Sequence, residues 1–290
     1  MAARRVIETR WFVLTPTPFR AAWEAAIAAA AAEAGWTLLV DSAPDGEEAV
    51  AERRLILVDD VEAVPLEHRA AAVGLMADTA FAGGVVADRD QVDEAVGWRA
   101  ASKVLTSASL ALGDRLARLE VDAGGAIVRC GDLELIAPTR VASAGTPRHD
   151  FLKTYLRLPM DRAATFHLGV HDIVYNDPPS RPTVDGAIDM TGRPRIASFG
   201  PYLWVPPGEW RATAEFAVDA DGARQEYAFQ WGDLETMSER RFRPGKPGPY
   251  RLEIDVVVRQ PAALELRIVK IEGTISGQMR FGGLTISRID

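Results

Sequence analysis

Apolar and polar positions alternate with two different periods along this chain. Through roughly the first 125 residues, short apolar runs trade places with helical patterns, the signature of an α/β layer. WFVLT (11–15), WTLLVD (36–41), LILVDD (55–60) and GGVVAD (83–88) read as four strands. Thr17 and Pro18 read as the cap and first residue of an Ala-rich helix that Gly35 closes. A second helix is expected around PLEHRAAAVGLMADTA and a long one from about Asp90 to Glu120, where Val92, Val96, Ala100, Val104 and Leu105 keep the spacing of one face. Crossover helices between successive strands predict a mostly parallel sheet.

The period then changes. AIVRC (126–130) and LELIAP (133–138), parted by Gly131-Asp132, predict a hairpin, and a helical fragment is expected at 150–156. From about Thr165 to Asp290 short alternating segments follow one another: TFHLGVHDIV, RPRIASF, PYLWV, WRATAEFAV, QEYAFQW, YRLEIDVVV, LELRIVKI and QMRFGGLTISRI. Turn residues such as Pro206-Pro207-Gly208 separate them, which predicts an antiparallel sandwich or jelly roll. The expected organisation is a small, mostly parallel Rossmann-like α/β domain over 1–125, a hairpin and connecting segment over 126–164, and an all-β sandwich over 165–290.

Alternation also sorts side chains between faces. Trp210, Ala212, Ala214, Phe216 and Val218 form one apolar set, so Trp210 is assigned to the core. Tyr227, Phe229 and Trp231 share a face. Leu203 and Val205 make a core pair, leaving Tyr202 and Trp204 on the opposite side. Two readings of that pair stay open: a surface on which a sugar ring stacks, or aromatic area packed beneath a loop or against the first domain.

Composition narrows the partners. The chain has 290 residues, 48% apolar, and a formal charge of −8. That charge disfavours nucleic acid and anionic membrane surfaces, both of which call for a basic face. The N-terminal apolar run is broken by Glu8 and Arg10, no run approaches membrane-spanning length, and one cysteine, Cys130, forms no intrachain disulfide. A cytoplasmic protein without membrane insertion is expected.

Catalytic chemistry is hard to find. TPTPF follows the first strand where a dinucleotide site has G-x-G-x-x-G, and neither a P-loop nor a G-x-S-x-G elbow occurs. The expected strand ends offer Thr15-Pro16-Thr17, Asp41-Ser42, Asp59-Asp60 and Asp88, where an open α/β sheet holds its ligands. His167 and His171, beside Asp172, fall short of the three or four ligands zinc takes. Neither metal nor cofactor is expected.

The segment IDMTGRPRIASFGPYLWVPPGEW (188–210) resembles the opening of a carbohydrate-binding-like β-sandwich in bacterial cell-surface polysaccharide biosynthesis proteins, with the motifs D-x-T-G-R-P-R, G-P-Y and L-P-P-G-x-W/Y. The match covers Asp189, Thr191 to Arg195, Gly200 to Tyr202 and Pro206 to Trp210, with Val205 where the pattern has Leu. It extends over roughly the last 110 residues and leaves the first half untouched. The resemblance implies non-catalytic recognition of a glycan or polysaccharide precursor, alongside assembly proteins or a second copy of the chain. Tyr202, Trp204, Arg193, Arg195 and Asp189 are the candidate carbohydrate-binding residues. The guanidinium forks suit a carboxylate or sugar hydroxyls, although ion pairs with Asp185 or Asp189 would occupy them equally well. The alternatives are a glycosyltransferase-like enzyme using a sugar nucleotide and a protein–protein interaction module.

Overall fold

The computed structural model describes residues 8–40, 53–119, 124–139, 149–158, 161–175 and 186–290. The chain divides into two compact units, Met1–Pro159 and Met160–Asp290. Asp41-Ser42 and Asp185 lie outside the described residues.

The first unit is built on a parallel sheet of five strands: β1 (Glu8–Leu14), β2 (Thr37–Val40), β3 (Arg53–Val58), β4 (Val73–Ala77) and β5 (Leu116–Leu119). Their order is β2-β3-β1-β4-β5, so β1 lies between a neighbour on either side. One face is covered by helix α1 (Arg20–Glu33) and by the hairpin β6 (Ile127–Cys130) and β7 (Leu133–Ile136). Trp23 and Ile27 of α1 and Val128, Cys130, Leu133 and Leu135 of the hairpin close on Phe12, Leu14, Leu55, Leu57 and Leu75. The hairpin therefore belongs to this core. Against the opposite face lies α4 (Glu94–Leu112), which begins at an Asp93 side chain accepting from the Val96 N–H.

Three assignments from periodicity differ from the structure. GGVVAD is not a strand; it lies within helix α3 (Ala82–Asp90). A short apolar run fits a buried helix as well as a strand, and these glycines serve helix contact. A Cβ at Gly83 would stand 2.7 Å from Trp98 Cβ, and one at Gly97 would stand 2.5 Å from the Gly83 carbonyl. The fourth strand is instead VGLMA, which the helical reading of 65–80 had absorbed; α2 (Leu66–Arg69) and the start of a 3₁₀ turn at Thr79 are what is helical there. The helix expected to Glu120 stops at Leu112, because Gly113 turns the chain at φ 53° into the fifth strand. Helix α1, for its part, starts at Arg20 rather than behind Thr17-Pro18.

The second unit is an antiparallel sandwich. One sheet has the order β10 (Ala187–Asp189), β18 (Gln278–Arg288), β13 (Gly208–Val218), β16 (Gly248–Val258), with β8 (Thr165–Leu168) also pairing β18. The other runs β15 (Met237–Phe242), β14 (Tyr227–Gly232), β17 (Ala262–Lys270), β11 (Arg195–Phe199), β9 (Val174–Tyr175), with β12 (Pro201–Val205) also on β17. Between the sheets, Trp210, Ala212, Ala214, Phe216 and Val218 meet Tyr227, Phe229 and Trp231, all buried. The Phe216 and Phe229 rings stack at 4.9 Å. Strand parity read this core correctly. Among the described residues no helix is long and apolar enough to cross a membrane.

Candidate functional site

The motif loop between β10 and β11 is pinned from several sides. The Arg195 guanidinium donates to the carbonyls of Thr191 (2.8 Å) and Asp189 (2.6 Å), closing the loop on itself. Asp189 Oδ1 accepts the Thr191 N–H at 2.8 Å. Bonds from the Thr191 hydroxyl and N–H, with Arg195 and Lys270 nearby, hold the Asp189 carboxyl below the ordinary carboxylate range. Lys270 is wholly buried and donates from Nζ to the Gly192 carbonyl at 2.6 Å. Burial, then the neighbouring Arg195, lowers its pKa. Thr274 completes the clamp: its hydroxyl donates to the Met190 carbonyl at 2.7 Å, and it exchanges backbone bonds with Gly192. Arg195 and Asp189 thus shape the loop through bonds to its backbone. Arg193 stands exposed at its tip.

Beyond the loop, the peptide Gly200–Pro201 is cis and Tyr202 takes a left-handed φ of 64°. The register between β12 and β17 slips here: Pro201 faces Glu265 while Leu203 faces Leu264, leaving Tyr202 as the extra residue of a bulge. Leu203 and Val205 are buried in the core, and Tyr202 and Trp204 are half-buried. Tyr202 meets the Phe199 ring edge-on at 6.1 Å. Trp204 pairs with the small Ala263 on β17. The following Pro-Pro-Gly turn is locked from inside, since Trp210 Nε1 donates to the Pro206 carbonyl at 3.0 Å.

Register extends the outward face on which Trp204 stands. Residues two apart on β17 share a face, so Ala263, Glu265 and Arg267 form one row. Glu265, absent from the sequence candidates, is 1% exposed, and Arg267, equally unforeseen, is 27% exposed and donates from Nη2 to Glu265 Oε1. An isolated carboxylate in that position is costly, so the pair is what makes its burial tolerable. The result is a guanidinium held in one orientation at the surface. Gln230 on β14 stands directly across from Arg267, and its amide donates to Glu239 of β15 at 2.9 Å. From Ala263 to Arg267 this strip is about 13 Å long at the rise of a strand. In LELRIVKI the alternating charges mark these positions as outward, but nothing in the string says that the acid is covered.

The carboxyl ends of the parallel strands hold the remaining candidates. Thr15, Thr17 and Asp78 are buried there, and the Thr17 hydroxyl donates to Asp78 Oδ2 at 3.2 Å. Asp59 makes ion pairs with Arg89 and, at 3.8 Å, with Arg20. Asp60 accepts the Glu62 N–H at 2.9 Å, capping a short 3₁₀ turn. Asp88 is a helix residue rather than the end of a strand. His167 faces Thr285 across β8 and β18, whereas His171 sits in a separate 3₁₀ turn. Among the described residues no three His, Cys, Asp or Glu side chains gather where a metal would bind. Burial pushes the Cys130 thiol up to about 12.

No family model matches the chain, and no curated protein matches it. Among solved structures it is similar to a family 16 carbohydrate-binding module at 9% identity over 34% of this chain and 73% of that one, with a TM-score of 0.27. It is similar to TmCBM61 in complex with β-1,4-galactotriose at 13% identity, over 40% of this chain and 81% of that one, with a TM-score of 0.28. A third is the C-terminal CBM6 of LamC, a marine laminarinase from Zobellia galactanivorans: 13% identity, 42% of this chain, 98% of that one, TM-score 0.26. Carbohydrate-binding modules thus stand among the solved structures to which this chain is similar.

Proposed function

We propose that the second unit recognises glycan on the outward face of the β14–β17–β12 strip. The observation that carries this reading is the pairing of a half-buried Trp204 with an Arg267 fixed by the buried Glu265 on one surface. An indole face accepts the C–H side of a pyranose. A guanidinium held in place offers hydroxyls or ring oxygens donors without first losing its own rotamer freedom. Tyr202 borders the strip, and its length of about 13 Å accommodates a chain of two or three sugar rings. Arg193, at the exposed loop tip, is a second donor for such a chain. A non-catalytic role in cytoplasmic assembly of cell-surface polysaccharide, the setting implied by the resemblance of residues 188–210, belongs to the same proposal.

The test measures binding and folding on the same variants of the full chain. A glycan array identifies a ligand, and calorimetry gives its affinity. Trp204→Ala should weaken binding about 5- to 150-fold, the range for an aromatic hot spot, and Arg267→Met should also weaken it. Trp204→Ala should move the melting of the second unit by no more than a few degrees, whereas Arg267→Met, which leaves the buried Glu265 carboxylate unpaired, should lower it as well as weaken binding. The reading is abandoned if no glycan binds the parent, or if Trp204→Ala lowers the melting temperature strongly while affinity stays at the parent value.

A further inference from the structure

The glycan strip contains one group whose hydrogen bonding is incomplete. Glu265 is 1% exposed and accepts from Arg267 at Oε1, yet its Oε2 is buried with no hydrogen-bond partner among the described residues. The sheet register explains the open acceptor. Along β17 the outward neighbours of Glu265 are Ala263 and Arg267, and across the ladders it meets Pro201 of β12 and Gly232 of β14. Alanine, proline and glycine have no side-chain donor, so Arg267 supplies all that these neighbours can give. Gly232 has no alternative: its φ is 151°, and a Cβ there would stand 1.9 Å from the Thr236 carbonyl oxygen. Leaving a buried acceptor open is costly, and native interiors rarely do so.

Position and charge restrict what completes this group. Glu265 lies about 7 Å along β17 from the row of Trp204 and Ala263, and as far from the row of Arg267 and Gln230. A saccharide stacked on Trp204 and running along the strip carries its hydroxyls over the carboxylate. Arg267 uses one of its N–H groups on Glu265, which leaves others for a ligand. The charges balance. Glu239, Arg241, Glu265 and Arg267 are the charged residues at the outward positions of β14, β15 and β17. Arg241 pairs with Glu239 at 3.0 Å, and Arg267 pairs with Glu265. An anionic ligand therefore gains no net attraction on this face.

We propose that Glu265 selects the ligand of this strip: a neutral saccharide with two adjacent free hydroxyls, one donating to Glu265 Oε2 and the other accepting from Arg267. This assignment rests on the glycan reading of the strip and names its ligand class. The terminal torsion of a Glu side chain has a broad well. A small turn of the carboxylate thus presents Oε2 to the ligand while Oε1 keeps its bond to Arg267. A hydroxyl is both donor and acceptor, so a vicinal diol meets the pair with one oxygen in each role. Two departures are rejected. An acetamido group in place of the 2-hydroxyl is too wide for an acceptor flanked by Pro201 and Gly232, and a uronate carboxylate is repelled by Glu265.

The experiment titrates cellotriose, β-1,4-mannotriose, chitotriose and trigalacturonate into the full-length protein by calorimetry at constant salt. Isotope-labelled Glu side-chain carboxyls report by their chemical shifts which acid meets the ligand. A neutral trisaccharide should bind, move the Glu265 carboxyl signal, and be held at least about tenfold more tightly than chitotriose or trigalacturonate. Glu265→Gln keeps the side chain's shape and an acceptor for Arg267. It should weaken neutral binding at least about fivefold and narrow the margin over trigalacturonate. Trp204→Ala should weaken every ligand alike, because stacking is blind to the diol. The ranking and the carboxyl signal are read on the parent, so they decide the matter even where Glu265→Gln folds poorly. Chitotriose or trigalacturonate binding as tightly as the neutral sugars overturns this proposal alone, as does a Glu265 signal unmoved at saturation. Unchanged neutral affinity in a folded Glu265→Gln does the same. Binding by none of the saccharides overturns the glycan reading along with it.

Discussion

Replacing Trp210 tests the core of the second unit directly. The side chain is 0% exposed, faces Phe166 at a ring separation of 6.2 Å, and seals the Pro-Pro-Gly turn by its bond to the Pro206 carbonyl. Trp210→Ala removes nearly the whole ring from a close-packed layer, costing about 3–5 kcal/mol. The Pro206 carbonyl, buried with the ring, loses its donor, which adds about 1–2 kcal/mol. Roughly 4–7 kcal/mol in a unit of this size lowers its melting temperature by about 12–30 °C. Differential scanning calorimetry of the full chain reads this as a shift of the second unit's transition, with the first unit's transition as an internal reference. Trp210→Phe separates the two contributions, because it keeps much of the packing and loses only the indole bond and one ring; its cost should be about 1–3 kcal/mol. A Trp210→Ala variant that melts within about 3 °C of the parent would refute the packing argument. A Trp210→Phe variant as damaged as the alanine one would refute the division between ring and bond.

Other outcomes follow from the first unit. Gly97→Ala should destabilise it by about 1–3 kcal/mol in urea titration, because the new methyl meets the backbone of α3 at 2.5–2.8 Å and outweighs alanine's better helix propensity. Gly84→Ala, where nothing lies within 4 Å, should instead stabilise by up to about 1 kcal/mol, so equal effects of the two would count against the close helix contact. Cys130, buried and with its thiol pushed up to about 12, should stay unreactive toward a thiol reagent at about pH 8 and titrate fully in denaturant. Rapid labelling of the native protein would contradict the hairpin's place in the core.

The second unit was legible in its sequence because each strand buries one face, and alternation then fixes which residues point inward. WRATAEFAV, EYAFQW and PYLWV placed Trp210, Trp231 and Leu203 in the core without any further information. The hairpin at Gly131-Asp132 was legible for a similar reason, since turn chemistry and alternation agree there. The first unit was harder. Its strands are covered on both faces and read as plain apolar runs, which a buried helix matches equally well; hence VGLMA and GGVVAD exchanged roles. Only the packing of Gly83 and Gly97 between α3 and α4 decides that exchange. The candidate site divides along the same line. That Tyr202 and Trp204 oppose the core pair follows from parity, a property of local backbone geometry. That Lys270 reaches the Gly192 carbonyl and that Glu265 is covered depend instead on register between strands far apart in the chain. A single strand carries its own alternation, but which residues it meets is settled only when the sheets assemble.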